Sequence, residues 1–455
     1  MSIEARSVDF IPENERYGKP SSLFYIWFGA NMNITTIASG VLPVVLGLNL
    51  FWSSVSIIVG SLIGAIFMAS HSAQGPKLGI PQMIQSRAQF GVIGAVLPLL
   101  FVMLIYLGFF VSNTLLAAQA IDKVSPLGQR GNIYVISVLC FLIALYGYKL
   151  IHRVQKALSI MSILVFLIAT VLAIILPVPP GQWAATGFSL QKFLAAVSIS
   201  VTWQLSYAPY VADYSRYLPG KTSTSKVFWH SYTGTVLGGA WMMILGAVLS
   251  VAIPHFADNV GLNVAELFGW GAVLLYVFVV FGQVSINVFN LYGAFMSTVT
   301  VIEPFAKMKV TAKVRGYFML AITAIATVLC TVSQDNFITF FLNFIFFMSY
   351  FLIPWTAINL VDFYFVRHGV YSVEDIFDLD GRYGRVNWFS CVTFVLAILL
   401  EIPFMNTSLY VGAVAERLNG VDLAWLVGLA FPAAAYYLYM KSGKRNVLET
   451  PVANS

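Results

Sequence analysis

Charge-free apolar runs alternate with short polar segments along almost the whole chain, and many of them exceed the roughly 20 residues that a helix needs to cross a bilayer. The pattern predicts membrane-spanning helices at about 23–48, 51–70, 93–121, 132–148, 157–177, 193–213, 231–254, 269–300, 316–333, 337–360, 386–404 and 422–440. Two of these twelve runs are interrupted. In the first, Gly29-Ala30-Asn31-Met32-Asn33 is followed by Thr35 and Thr36. In the sixth, Trp203-Gln204-Leu205-Ser206-Tyr207-Ala208-Pro209 lies in a stretch that is uncharged from Phe193 to Asp213. Lipid offers no hydrogen bonds, so a polar break at mid-depth is tolerated only where protein, water or a ligand replaces the lost backbone bonds. Interrupted spans at corresponding places of two halves point to the substrate site of a secondary transporter.

Composition supports the same class. Only 10% of the residues are charged and 59% are hydrophobic, against roughly 25% charged in an average soluble domain. The basic residues set the orientation. With the N-terminus inside, the cytoplasmic segments hold all 25 Lys and Arg residues except Lys123, Arg130, Lys192 and Arg417. Missing or inventing one central span would destroy that asymmetry, so both termini are expected in the cytoplasm. The formal charge of +6 then reflects topology and not nucleic-acid binding. The first 22 residues carry seven charges of mixed sign and no short apolar region, so no cleaved signal is expected and the cytoplasmic membrane is the expected location. Cys140, Cys330 and Cys391 are isolated in apolar spans and read as packing residues.

The chain divides into a cytoplasmic segment 1–22, a first repeat 23–177 (spans 1–5), a second repeat 193–361 (spans 6–10), a cytoplasmic connector 362–387, two extra spans within 388–441 and a tail 442–455. An odd number of spans separates equivalent helices, so the two five-span repeats run in opposite directions. Spans 1 and 6 open the repeats and carry the breaks; spans 3 and 8 are both unusually long. The fold class is thus an all-α polytopic membrane protein, a five-plus-five inverted repeat with discontinuous first and sixth helices. The polar connector from Asp362 to Asn387 has room for one short amphipathic helix.

Three polar segments at cytoplasmic span ends are distinctive: Gln74-Gly75-Pro76-Lys77-Leu78-Gly79-Ile80-Pro81 running on to Gln89-Phe90-Gly91, Asp213-Tyr214-Ser215-Arg216-Tyr217-Leu218-Pro219, and Asp362-Phe363-Tyr364-Phe365-Val366-Arg367-His368-Gly369. With Glu13-Asn14-Glu15-Arg16-Tyr17-Gly18-Lys19-Pro20 and Trp27-Phe28-Gly29-Ala30-Asn31-Met32-Asn33, their order and spacing resemble the nucleobase-cation-symport family, in particular its purine-cytosine permease branch; relatives carry cytosine, purines, allantoin and hydantoins. The resemblance runs from residue 13 to about 384. It implies alternating access, one base per cycle and a cation partner.

The residues give their own reason to expect a neutral, flat, polar substrate. No Asp, Glu, Lys or Arg falls at mid-depth of spans 1, 3, 6 or 8, where an ionic substrate needs a countercharge. Amides supply donors and acceptors for a base edge, and aromatic rings supply stacking. Span 8 offers Gln283, Ser285, Asn287 and Asn290, the two asparagines sharing a helical face. The resemblance places the base-binding asparagine at Asn287, with Asn290 beside it; an asparagine in a membrane helix also commonly bonds a neighbouring helix. In span 3, Phe109 stands where the family has a stacking tryptophan, with Tyr106 and Asn113 on adjacent turns. Counting back from Arg216 places Trp203, Gln204, Ser206 and Tyr207 at the family's span-6 site, and Asn33 completes the set from span 1.

The coupling ion stays open between sodium and a proton. The family's sodium site maps onto Ala30 and Asn33 in span 1 and Gly282 and Ser285 in span 8, but Ile286 stands where a second hydroxyl is usual. For a proton, the nearby acids are Asp213, Glu266 and Glu303, all near span ends. The expected partners are a small nucleobase, a monovalent cation and the lipid bilayer; no cofactor, nucleic acid or obligate protein partner is implied. A channel would need a continuous polar pore lining. An enzyme would need a nucleophile–base pair or metal cluster, yet His152, His255 and His368 fall in loops and His71 and His230 near span ends. The topology is directly testable: reporters active only in the cytoplasm should work when fused to either terminus, and inactivity at one end would break the twelve-span assignment.

Overall fold

The computed structural model describes residues 9–306 and 311–442. Arg6, Lys307, Lys309, Lys444 and Arg445 of the charge pattern, and most of the tail 442–455, lie outside the described residues. Every predicted run coincides with a helix or a broken pair. Span 1 is Pro20–Ala30 plus Ile34–Val45, span 2 Leu50–Ser72, span 3 Val96–Ile121, span 4 Gly128–Leu142 and span 5 Tyr148–Ile174. Span 6 is Leu190–Leu205 plus Ala208–Ser215, span 7 Thr224–Ala252, span 8 Ala272–Ile302, span 9 Ala312–Ser333, span 10 Phe337–Val361, span 11 Trp388–Glu401 and span 12 Ala424–Lys441. By length and apolarity alone, six segments among the described residues are able to cross a membrane, seven with the bent first pair. The difference arises partly because spans 9 and 10 run together through the 3-10 turn Gln334–Asn336, and partly because others are short.

Helix pairing carries the repeat. Span 6 packs along span 2 as span 1 packs along span 7, while spans 3 and 8, and spans 2 and 7, pair with each other. Exchanging the two halves turns this set of contacts into itself, as two five-helix units related by a two-fold require. Small residues let the backbones approach where spans 1 and 7 cross. A Cβ on Gly40 would stand 1.9 Å from the Met243 carbonyl oxygen, and one on Gly246 2.1 Å from that of Ile37.

Segments read as plain loops contain more structure. The π turn Ile143–Gly147 joins spans 4 and 5, so the basic stretch there is helical. After span 7, Val260–Glu266 forms a helix against span 3, capped by the Asn259 side chain and buried through Val260, Val264 and Ala265. The segment 74–91 is three short helical turns, Gly75–Leu78, Gln82–Gln85 and Arg87–Phe90, almost entirely buried. The connector holds the expected short helix, Val373–Phe377.

The distinctive polar segments converge at one end of the bundle. Gln82 N–H donates to Asp213 at 2.8 Å, and the Ser215 hydroxyl donates to the Ser72 carbonyl at 2.7 Å. Asp362, fully buried, accepts from Arg367 Nε (2.9 Å), Gln89 Nε2 (2.6 Å), Tyr371 OH (2.8 Å) and Tyr436 OH (2.8 Å). Burial, then the Asp362 charge, pushes the Tyr371 phenol up from its ordinary value. Four donors thus clamp spans 10 and 12, the 74–91 segment and the connector around one carboxylate.

Candidate substrate site at the break in span 1

The two halves of span 1 meet at 62°. Asn31 keeps helical dihedrals, whereas Asn33 is extended (φ −147°, ψ 161°), so the helix must restart. Asn33 does this as an N-cap: its Oδ1 accepts from Thr36 N–H at 3.0 Å, worth about 0.5–2 kcal/mol. Its Nδ2 donates back to the Ala30 carbonyl at 2.7 Å. Asn31 spans the gap between two breaks. Its Nδ2 donates to the Trp27 carbonyl (2.8 Å), while its Oδ1 accepts from Trp203 Nε1 (2.9 Å) and Tyr207 OH (3.1 Å).

The break in span 6 is milder. Ser206 and Tyr207 remain near helical dihedrals, the Ser206 hydroxyl donates to the Trp203 carbonyl at 2.7 Å, and Pro209 sits in the first turn of the restarted helix, where its missing N–H costs little. Gln204 turns to span 7: its Nε2 donates to the Thr235 carbonyl at 3.2 Å and its Oε1 accepts from the Thr235 hydroxyl. Trp203, Gln204 and Tyr207 therefore gather with Asn31 and Thr235 in one buried cluster.

One turn further along span 1, Thr35 opens a second cluster. Its hydroxyl donates to Asn113 Oδ1 (2.6 Å) and accepts from Gln283 Nε2 (2.9 Å). Asn113 Nδ2 donates to Asn287 Oδ1 (3.0 Å), and Asn287 Nδ2 donates to Thr114 Oγ1 (2.9 Å) and the Phe110 carbonyl (3.1 Å). Asn290 reaches Asn287 Oδ1 more distantly, at 3.4 Å. Thr35, Asn113, Gln283 and Asn287 are at most 2% exposed. Spans 1, 3 and 8 are thus joined by uncharged amides and hydroxyls that bond one another.

Aromatic rings link the clusters. Phe109 meets Trp203 edge-to-face at 6.0 Å and Phe344 at 5.3 Å. Tyr106 faces Tyr210 at 6.0 Å and packs over Gly293, where a Cβ would come within 2.7 Å of its ring. Of the cation set, the Ala30 carbonyl is engaged by Asn33, and Gly282 has open space where a Cβ would stand. The Ser285 hydroxyl is buried with no hydrogen-bond partner among the described residues. The three nearby acids are engaged elsewhere: Asp213 accepts from Gln82, Glu266 pairs with Lys123, and Glu303 pairs with Arg87 at 2.8 Å. Among the described residues no group of three or more His, Cys, Asp or Glu is placed to hold a metal.

Sequence reasoning passed over Asn31, Thr35 and Thr114 as site residues. Asn31 and Thr35 stood in the interrupted segment, and Gln283 lies one turn from Asn287 on the same face. Thr235 carries no such signal.

A polytopic all-helical membrane protein with two broken spans is what this architecture defines, and its family is one of permeases, not enzymes. A family model described as a permease for cytosine/purines, uracil, thiamine and allantoin matches residues 10–428, and the chain belongs to that family. It is 58% identical over 441 residues to YxlA of Bacillus subtilis (strain 168), provisionally named a purine-cytosine permease, covering 97% of this chain and 96% of that protein. It is 27% identical to the purine-cytosine permease fcyB of Emericella nidulans, over 96% of this chain and 88% of that one. The fold matches Mhp1, a nucleobase-cation-symport-1 family transporter solved closed with bromovinylhydantoin bound, with a TM-score of 0.74 at 18% identity over 98% and 96% of the two chains.

Asn31→Ala tests the junction between the breaks. It leaves the Trp203 N–H and Tyr207 hydroxyl without their acceptor, an expected loss of about 1–3 kcal/mol in stability. Unchanged thermal unfolding of the inserted protein would mean the two breaks are held by other contacts.

Proposed function

We propose that this chain is a secondary active transporter that imports a neutral nucleobase, cytosine or a purine, together with a monovalent cation by alternating access. The observation that carries the reading is the uncharged amide and hydroxyl cluster of Thr35, Asn113, Gln283 and Asn287, beside the Phe109–Trp203 pair at the break in span 1. A base edge can take over amide bonds that these side chains make to one another, and its faces can lie against Phe109 and Trp203. Asn287 and Asn113 are the proposed readers of the edge, with Asn290, Tyr106 and Tyr207 at the margin. Ser206 and Gln204 shape the site through span 6. The relatives named for purine and cytosine transport support this substrate class over allantoin or a hydantoin.

Saturable uptake of labelled cytosine or adenine into proteoliposomes, competed by a panel of bases, allantoin and hydantoin, tests the class. Asn287→Ala should weaken binding by about 1–3 kcal/mol through unpaired polar atoms. Phe109→Ala should cost a similar amount, about 1–3 kcal/mol by analogy with base stacking, while Phe109→Trp keeps binding. Wild-type affinity in both alanine variants would remove this site from the proposal.

The coupling ion is a proton or sodium; for sodium, Ala30, Asn33, Gly282 and Ser285 form the proposed site. Under sodium coupling the Ala30 carbonyl offers the ion the lone pair that Asn33 Nδ2 does not use. Sodium replacement by choline at fixed pH should then abolish accumulation, and Ile286→Thr should lower the sodium needed. Under proton coupling, uptake survives without sodium and collapses with a protonophore.

A further inference from the structure

Span 11 ends at Glu401, at the end of the helix away from the connector 362–387. The residue is fully buried, and neither carboxyl oxygen has a hydrogen-bond partner among the described residues. The carboxyl lies against the backbone of span 12: a Cβ on Gly428 would fall 1.5 Å from Glu401 Oε1, so only glycine admits it there. The neighbouring acid is in the opposite condition. Asp422 accepts from Asn406 N–H (2.9 Å), Ala424 N–H (2.8 Å) and Tyr350 OH (2.9 Å), three donors that stabilise a carboxylate. Asp422 is within electrostatic range of Glu401, and among the described residues no Lys, Arg or His hydrogen-bonds to the Glu401 carboxyl. Of the elements around it, span 10 presents Tyr350, the start of span 12 presents Asp422, and the turn Ile402–Phe404 presents no titratable group.

An ionised carboxylate with no donor is strongly disfavoured in a buried site within a membrane bundle. Two carboxyls with such different surroundings divide the roles of charge carrier and proton carrier. We propose that Glu401 is a proton-binding site: it holds a proton in this packing, Asp422 carries the charge, and release of the proton sets two like charges against each other at the seam of spans 10, 11 and 12. The seam is thereby pH-sensitive. This stands whichever base is carried and whichever ion drives uptake.

The test uses the full chain in lipid. Above about pH 5 an unfolded glutamate has lost its proton, so a folded state that keeps one loses stability as pH rises until Glu401 itself ionises. Thermal unfolding of the wild type should therefore fall with rising pH more steeply than that of Glu401→Gln. An exchangeable carboxylic-acid band in the infrared spectrum at neutral pH should be present in the wild type and lost in Glu401→Gln. Equal pH slopes, or an identical band in both, overturn the proposal. So does loss of the wild-type band on adding sodium at fixed pH, which would make the site a cation site. If Glu401→Gln does not fold, Asp422→Asn serves: removing the neighbouring charge should move loss of the band down by about 1 pH unit or more, and no movement overturns the assignment.

Discussion

A helix interrupted inside lipid leaves backbone groups that nothing outside the protein can satisfy, and the break at Asn31–Asn33 is where this molecule meets that constraint. Asn33 restarts the helix as a cap and returns a donor to Ala30. Asn31 takes donors from Trp203 and Tyr207, so the break in span 1 and the break in span 6 hold each other. The remaining core follows from this. Glycines in spans 1 and 7 bring their backbones together so that Thr235 reaches Gln204 and Asn31.

Next to the break, the amides of spans 3 and 8 are satisfied by one another. Binding a polar substrate at this proposed site would be an exchange of hydrogen bonds, and an exchange contributes little net free energy. If the proposed site holds the substrate, the amides select for the pattern of donors and acceptors, because a ligand with the wrong edge leaves a buried group unpaired. Affinity would then fall to the aromatic surfaces. Such a site is suited to telling neutral flat molecules apart without a countercharge.

Charge is kept to the ends. Glu303 and Arg87, Glu266 and Lys123, and Asp362 with Arg367 are pairs near span termini. The Asp362 cluster explains why three polar segments far apart in the chain share a distinctive character: each supplies part of one buried assembly beneath spans 2, 6, 10 and 12. Glu401, also at a span end, differs in being a fully buried acid with no hydrogen-bond donor among the described residues, and it lies outside spans 1–10.

Hydrophobic periodicity and run length determined the helical class, the positions of the apolar helices and the two breaks, because lipid imposes one length and one hydrogen-bonding rule on every span. The absence of charge at mid-depth of spans 1, 3, 6 and 8 was legible, as was the polar character of the break. Partners were not. That Gln204 turns to Thr235, that Asn31 rather than Asn33 joins the breaks, and that Thr35 and Gln283 complete the amide cluster depend on helix rotation and crossing, which a one-dimensional pattern does not contain. The buried helical turns of 74–91 and the helix Val260–Glu266 likewise read as loops, since their short apolar faces have meaning only against the spans that cover them.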